Sequence, residues 1–114
     1  MKKILILLIP VILLASCTST KPLYSWRKYD ISSYNYLKNN DEKSTQELIK
    51  NYEAIIAKQK GSRQVAPPGI YADYGFILLQ LGKNEEGNAM LEKEIALYPE
   101  YKIFIDRIIK MQKK

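Results

Sequence analysis

The chain has 114 residues, with 18 basic and 12 acidic side chains, a formal net charge of +6, one cysteine and no histidine. This length allows one domain. The absence of histidine and the single cysteine remove the most frequent general base, the most frequent metal ligands and any disulfide within the chain. The composition therefore argues against an enzyme, and we expect neither a metal nor another cofactor.

The first sixteen residues have the pattern of a bacterial signal peptide. Lys2 and Lys3 precede the apolar run Ile4–Leu14 of eleven residues, whereas about 20 are needed to span a bilayer. The run ends in Leu14-Ala15-Ser16-Cys17, which is typical of a lipobox. Cleavage before Cys17 would leave a lipidated cysteine at the new N-terminus. The alternative is ordinary secretion, with Cys17 discarded or left as a free thiol.

Residues 17–23 are expected to be a lipidated tether that joins the membrane to a single domain, residues 24–114. Six residues extend at most about 20 Å, so the domain would stay close to the membrane. Residue 18 is a threonine. In the known sorting pattern, an aspartate at this position retains many lipoproteins at the inner membrane. We therefore expect the outer membrane, with the domain facing the periplasm.

The charge of the mature chain is modest. Residues 1–16 hold two of the 18 basic residues and none of the 12 acidic ones, so the remaining 98 residues carry a formal +4 that is spread along the chain. We expect these charges to lie on solvated helix faces. A weak attraction to anionic lipid or to an acidic partner is the alternative, and nucleic acid is not an expected partner.

An aromatic cluster begins the domain, just before and within a first predicted helix from about Lys28 to Asn39. Its members are Tyr24, Trp26, Tyr29, Tyr34 and Tyr36. Two interpretations remain open. The rings either cover the open end of a small helical core, or some of them are exposed and form a partner-binding hot spot. The candidate partner-binding residues of this cluster are Tyr24, Trp26 and Tyr29.

A second helix is predicted from Asp41 to Lys60. Apolar residues at helical spacing indicate its buried face: Leu48, Tyr52, Ile55 and Ile56. Ser44-Thr45-Gln46-Glu47 fits a capping box, and a start capped by Asp41 is the alternative. Gly61 is expected to end the helix.

Residues 67–99 predict two further helices, Gly69–Leu81 and Glu85–Tyr98, joined by a short turn in which Asn84 is the expected N-cap. The first of the two is apolar on every face, so we expect it to be the central helix of the domain. Pro68 suits its first turn. Prolines and glycines punctuate the stretch at Pro67, Pro68, Gly69, Gly75, Gly82, Gly87 and Pro99.

This spacing resembles a tetratricopeptide repeat, a helix–turn–helix unit of about 34 residues. Gly75 and Gly82 match the small residues of the repeat's first helix and turn, Gly87 matches the small crossing residue of its second helix, and Pro99 matches its closing proline. Glu94 and Gly87 depart from the repeat, which usually has alanine at these positions, and only one unit is well formed. Any antiparallel helical hairpin is the alternative.

A fifth helix is predicted from Glu100 to Lys113. One of its sides is apolar, and in a tetratricopeptide array such a helix would cap the open face of the last repeat. The expected fold is therefore all-α, with about five short helices arranged as tetratricopeptide-like antiparallel pairs and a C-terminal capping helix.

Several motifs taken together resemble one protein family. They are Tyr24-x-Trp26 with Tyr29, PPGIYADYG at 67–75, Gly82, Glu92-Lys93-Glu94, Tyr98-Pro99-Glu100 and Phe104-Ile105-Asp106-Arg107. On these residues the chain resembles small bacterial lipoproteins grouped as domain of unknown function 4810, over essentially the whole mature chain. The resemblance implies no established activity. It implies neighbouring genes for two other lipoproteins, one of which resembles the curli-secretion channel protein, and hence a place in an envelope lipoprotein assembly.

Two carboxylates fall in apolar surroundings. Asp73 lies within the central helix, and Glu94 occupies a position that tetratricopeptide packing would bury. Burying an unpaired carboxylate is costly. We therefore expect Arg107 or Arg63 to form an ion pair with one of them; backbone donors or an exposed edge are the alternatives.

The expected function is that of a lipid-anchored adaptor that binds protein. Tetratricopeptide folds bind partners in a groove lined by their first helices, and the matching positions here are Ala72, Phe76 and Leu79, with Gln80 at the edge. Because an exposed apolar groove invites aggregation, we expect the N-terminal helices to fill it. An apolar peptide or a partner helix is the alternative occupant. The second function considered is a structural or envelope-maintenance lipoprotein without a specific groove ligand.

Overall fold

The structure is a computed structural model that describes Lys3 and residues 20–113. In residues 20–113 the regular structure is helical: α1 (Tyr29–Asn39), α2 (Glu42–Ala57), α3 (Ile70–Gln80), α4 (Asn84–Leu97), a 3₁₀ turn (Pro99–Tyr101) and α5 (Lys102–Gln112). The predicted all-α fold is confirmed. Lipidation at Cys17, and the signal peptide apart from Lys3, lie outside the described residues. No helix among the described residues has both the length and the apolar character needed to cross a bilayer.

Neighbouring helices in the chain run in opposite directions. The Asn51 amide of α2 donates to the Ser32 hydroxyl of α1 at 3.2 Å, and α3 and α4 form the second antiparallel pair. Consequently α1, α3 and α5 point the same way. Their N-termini share one end of the domain with the C-termini of α2 and α4. We call this the proximal end, because the chain enters the domain there from residue 20.

Helix α3 is the centre of the core, as its apolar sequence predicts. One face of it joins α2 in a cluster of Leu48, Ile49, Tyr52, Ile55, Ala66, Ile70, Tyr74, Ile77 and Leu78. The opposite face joins α4 and α5 in a smaller cluster of Ala72, Leu79, Leu91 and Ile105. A helix with no polar face buries itself between partners on both sides.

Helices α3 and α4 cross where both lack a side chain. A Cβ atom on Gly75 would lie 2.7 Å from the Gly87 carbonyl oxygen, and one on Gly87 would lie 2.8 Å from that of Gly75. Such distances leave no room for a methyl group, so these two glycines set the separation of the helices. The prediction of a close crossing at these positions is confirmed.

The start of α2 resolves the two alternatives left open by the sequence. Asp41 is the N-cap: its carboxylate accepts from the Ser44 N–H at 2.8 Å, and the Ser44 hydroxyl accepts from the Asp41 N–H at 3.3 Å. The capping box is therefore Asp41 with Ser44, and the start at Ser44 is wrong. An aspartate at the N-cap also faces the positive end of the helix dipole.

Helices α3 and α4 begin differently from the prediction. Gly69 is the N-cap of α3 with φ +94°, a left-handed conformation that a glycine adopts without strain. Pro68 therefore precedes the helix and does not lie in its first turn. In α4 the N-cap is Lys83, and Asn84 is already helical, so Asn84 caps nothing.

Helix α2 ends at Ala57, before the expected Lys60, and the N-terminal segment of the chain packs across the loop that follows. The Gln59 amide donates to the Ser25 carbonyl at 3.2 Å, and its oxygen accepts from the Ser25 N–H. The backbone leaves the helical conformation at Lys58, the C-cap, which has φ −129° and ψ 61°.

Gly61 lies directly beneath that incoming segment. Main-chain hydrogen bonds join Ser62 N–H to Pro22 O at 3.0 Å and Arg63 N–H to Leu23 O at 3.2 Å. A Cβ atom on Gly61 would lie 2.2 Å from the Leu23 oxygen. The sequence predicts Gly61 as a helix end, but its role in the structure is to let two main chains touch.

Candidate functional site

Helices α1, α3 and α5 border two adjacent open cavities, which together we call the α3 groove. Its floor consists of Asp73, Phe76 and Gln80 on α3. Its walls are Tyr29, Ser33, Tyr36 and Leu37 on α1, and Phe104, Arg107, Ile108 and Met111 on α5. Asp73 and Phe76 border two cavities, one of about 390 Å³ towards α1 and one of about 430 Å³ towards α5.

Helix α1 forms a wall of the groove and does not cover it. The Tyr29 hydroxyl donates to Asp73 Oδ2 at 2.9 Å, and the Tyr36 hydroxyl donates to Gln80 Oε1 at 3.3 Å. Both bonds reach the polar edge of α3 and hold α1 to one side of it. Tyr29 and Tyr36 thus lie against the groove floor and fill part of it, as expected of the N-terminal helices, but a cavity of about 390 Å³ remains open beside them.

Helix α5 supplies the opposite wall with large exposed side chains. Ile105 is buried and fixes the helix against the core, while Ile108 is half-buried. Phe104 is 59% exposed and Met111 70% exposed. Aromatic and methionine side chains are enriched at protein interfaces, and methionine adapts its shape to a partner.

The predicted groove residues separate into two sets. Phe76 is half-buried and Gln80 is exposed, and both lie on the groove floor as predicted. Ala72 and Leu79 are only 8% exposed and belong to the cluster that α5 covers, and Ala72 also lines the cavity towards α5. Leu79 is therefore a core residue and not a binding residue, because the capping helix packs on the side of α3 that carries it.

Asp73 is the charged group on the groove floor. Desolvation raises the pKa of its carboxyl group, and the hydrogen bond from Tyr29 partly opposes that rise. Burial, together with the charge of Asp73 and the hydrogen bond to it, raises the pKa of Tyr29 to about 12. The pair is thus a phenol donating to a carboxylate that still faces solvent.

Glu94 of α4 is fully buried beneath the first turn of α3. One carboxylate oxygen accepts from the Gly69 N–H, and within the described residues the other oxygen has no hydrogen-bond partner. Burial raises the pKa of Glu94, although the N–H groups of Gly69, Ala72 and Tyr71 favour its charged form. Glu94 therefore acts as a side-chain cap for a neighbouring helix.

The predicted ion pairs do not form. The ion pair that residues 20–113 do contain lies within α5, where Lys102 Nζ is 2.7 Å from Asp106 Oδ2. Neither Arg107 nor Arg63 pairs with Asp73 or Glu94, because a tyrosine hydroxyl and a helix N-terminus supply the donors instead.

The aromatic cluster divides between core and surface. The rings of Trp26, Tyr29, Tyr52 and Tyr74 follow one another at centroid distances of 5.6, 6.1 and 5.6 Å. The hydroxyls of Tyr24 and Tyr98 lie 3.4 Å apart, and that of Tyr98 donates to Ala66 O at 2.7 Å. Most of these rings close the core, as the first interpretation states. Trp26 is nevertheless 43% exposed and Tyr34 61% exposed.

The described residues hold no group of three side chains that could bind a metal ion. The carboxylates of Asp73 and Glu94 have separate donors, the Tyr29 hydroxyl and the Gly69 N–H. The lining of the groove is mostly apolar, with Asp73, Gln80 and Arg107 among its polar members.

The sequence from residue 23 to residue 108 matches the family model described as Domain of unknown function (DUF4810). The chain belongs to this family. The match includes all of α1 to α4 and reaches Ile108 in α5, so the DUF4810 region contains most of the α3 groove. This confirms the family resemblance seen in the motifs. No curated protein and no solved structure matches the chain at a significant level.

Proposed function

We propose that this member of the DUF4810 family is a lipid-anchored adaptor in the bacterial envelope that binds a segment of another protein in the α3 groove. The observation that carries the proposal is the groove itself, which stays open between α1 and α5 and is bordered by exposed apolar side chains. The order of antiparallel pairs followed by α5 is typical of tetratricopeptide-like packing, in which the first helices line the binding face.

The groove favours an apolar partner segment with one hydrogen-bond donor. Phe76, Phe104 and Met111 offer apolar contacts on the floor and one wall. Asp73 is the acceptor between the two cavities, where a lysine, arginine or amide group of the partner could bind it. An amphipathic helix with apolar residues three or four positions apart has this chemistry.

Anchoring at Cys17 would hold the domain at the outer membrane, facing the periplasm. The proposed partners are other envelope lipoproteins, among them one that resembles the curli-secretion channel protein. The lipobox sequence supports the anchor, and the family resemblance supports the choice of partners. The mass of the mature N-terminus, measured by mass spectrometry, tests the anchor: an unacylated Cys17 would contradict it without bearing on the groove.

Recovery of partners from detergent-solubilised envelope tests the groove. We expect the parent chain to recover a partner in stoichiometric amount and Phe104→Glu to reduce that recovery at least about tenfold, because a charge replaces an apolar contact. Ile103→Glu is the matched control, since Ile103 is 70% exposed on the same helix but does not line the groove.

Equal losses for the two variants, or no loss for either, would refute the groove as the binding site. An empty recovery that persists after gentle cross-linking would favour the alternative, an envelope-maintenance lipoprotein without a groove ligand. Circular dichroism of both variants confirms that each remains folded.

A further inference from the structure

The proximal end joins two stretches that are far apart in the sequence. Residues 20–28 lie against residues 57–66 through the main-chain bonds that seat the incoming chain on Gly61. The Arg27 guanidinium also donates to the Lys58 carbonyl oxygen at 2.9 Å. The side chains of both stretches therefore share one surface.

That surface has a one-sided charge. Its exposed basic residues are Lys21, Arg27, Lys28, Lys58, Lys60 and Arg63, and neither stretch contains an acidic residue. Two apolar residues are exposed among them, Leu23 at 60% and Trp26 at 43%. We call these eight residues the proximal patch.

The proximal patch holds the whole positive excess of the mature chain. Its six basic residues are part of 16, which leaves ten basic residues against all 12 acidic ones elsewhere. Counting Asp30, which is near the patch in the sequence, and Glu47, which lines a cavity with Arg27 and Lys28, against the patch still leaves an excess of four. The ion pair between Lys102 and Asp106 lies on α5 and includes no residue of the patch. The basic residues are spread along the sequence as expected, but folding brings six of them together at the proximal end.

We propose that the proximal patch docks the domain onto an anionic lipid surface. Lysine and arginine near a bilayer are attracted by the negative surface potential of anionic headgroups, and tryptophan partitions to the membrane interface. The N-terminal segment enters the fold at this end, so an anchor at Cys17 would hold the patch towards the membrane. The inference rests on the proposed function in this respect. Lipid binding by one acyl-anchored residue is strengthened by a basic surface beside it.

Trp26 is the one tryptophan of the chain and lies within the patch, so its fluorescence reports docking directly. The test uses the mature polypeptide from residue 17 with Cys17→Ser, so that no acyl chain contributes. We expect its emission to shift to shorter wavelength, and to be quenched by bromine-labelled acyl chains, with vesicles of phosphatidylcholine containing about 30% phosphatidylglycerol. Pure phosphatidylcholine vesicles should leave the emission unchanged, and about 0.5 M salt should release the protein.

The double variant Lys58→Glu/Lys60→Glu should bind anionic vesicles at least about 25-fold more weakly, because each basic residue contributes about fivefold. Its matched control is Lys43→Glu/Lys83→Glu, which changes the net charge equally at the first turns of α2 and α4 and should bind within about twofold of the parent. Absence of binding, equal binding to both vesicle types, or equal weakening in the two variants would overturn the inference.

The two proposals fail separately. Phe104→Glu should bind vesicles as the parent does, whereas Lys58→Glu/Lys60→Glu should still recover the groove partner in detergent. A parent chain that binds anionic vesicles but recovers no partner would contradict the groove alone. A parent chain that recovers its partner but does not bind anionic vesicles would contradict the patch alone.

Discussion

Substitution of Glu94 tests how the two halves of the core are joined. Glu94→Ala removes the acceptor of the Gly69 N–H and leaves a buried donor unpaired, which costs about 1–3 kcal/mol. It also empties space at a site with no exposed surface, and core truncations of this kind cost about 2–5 kcal/mol. Removing a buried carboxylate whose second oxygen has no partner among the described residues offsets part of this loss. We expect a net destabilisation of about 2–3 kcal/mol.

Glu94→Gln separates the shape of the side chain from its charge. The amide oxygen can still accept from Gly69, and the charge that burial disfavours is absent. At neutral pH we therefore expect this variant to be at least as stable as the parent, whereas Glu94→Ala is clearly weaker. Urea unfolding followed by circular dichroism measures both differences.

The difference in stability between the parent and Glu94→Gln should depend on pH with a definite sign. Burial raises the pKa of Glu94 above its usual 4.5, so the folded chain holds this proton more tightly than the unfolded chain. The stability from this group is complete below about pH 4.5 and decreases as the pH rises through the folded pKa. The parent should therefore lose stability relative to Glu94→Gln as the pH rises from about 4.5 through the folded pKa. A constant difference over that range, or a Glu94→Ala variant within about 0.5 kcal/mol of the parent, would refute the reasoning.

Two further substitutions test the fold. Gly87→Ala would gain about 1 kcal/mol of helix propensity but would press its Cβ against the Gly75 oxygen at 2.8 Å, an overpacking that costs about 1–3 kcal/mol or more. We expect a net loss in urea unfolding; the exposed Ala89→Gly on the same helix calibrates propensity, and a stabilised Gly87→Ala would contradict the close crossing. Asp41→Ala removes the acceptor of the Ser44 N–H and should lower the midpoint of thermal unfolding by about 5 °C, so a shift below about 1 °C would argue against the cap.

The features that the sequence predicts well are those fixed by neighbours in the chain. The central position of α3 follows from apolar residues on all its faces, and the crossing of α3 with α4 follows from the placement of Gly75 and Gly87. Family membership is likewise readable from short motifs such as the one at 67–75. Helix ends were predicted to within a few residues, and the largest error is the end of α2, where a distant segment of chain intervenes.

The features that the sequence does not predict depend on which distant segments meet. Nothing local to Glu94 indicates that its partner is the main chain at Gly69, and an arginine is the simpler expectation for a buried carboxylate. The proximal patch escapes a linear reading for the same reason. Residues 20–28 and 57–66 each carry three basic residues, and only their main-chain pairing makes one surface of the two.

The contact of Gly61 with the incoming chain has a mechanical consequence. Tension applied from the N-terminal side reaches the carbonyl groups of Pro22 and Leu23 first, and passes from there into the loop after α2. Because no side chain separates the two backbones, the tension passes directly from one main chain to the other through these hydrogen bonds. A larger residue at position 61 would separate the two main chains and weaken the hydrogen bonds between them. The helices could then rotate relative to the N-terminal segment.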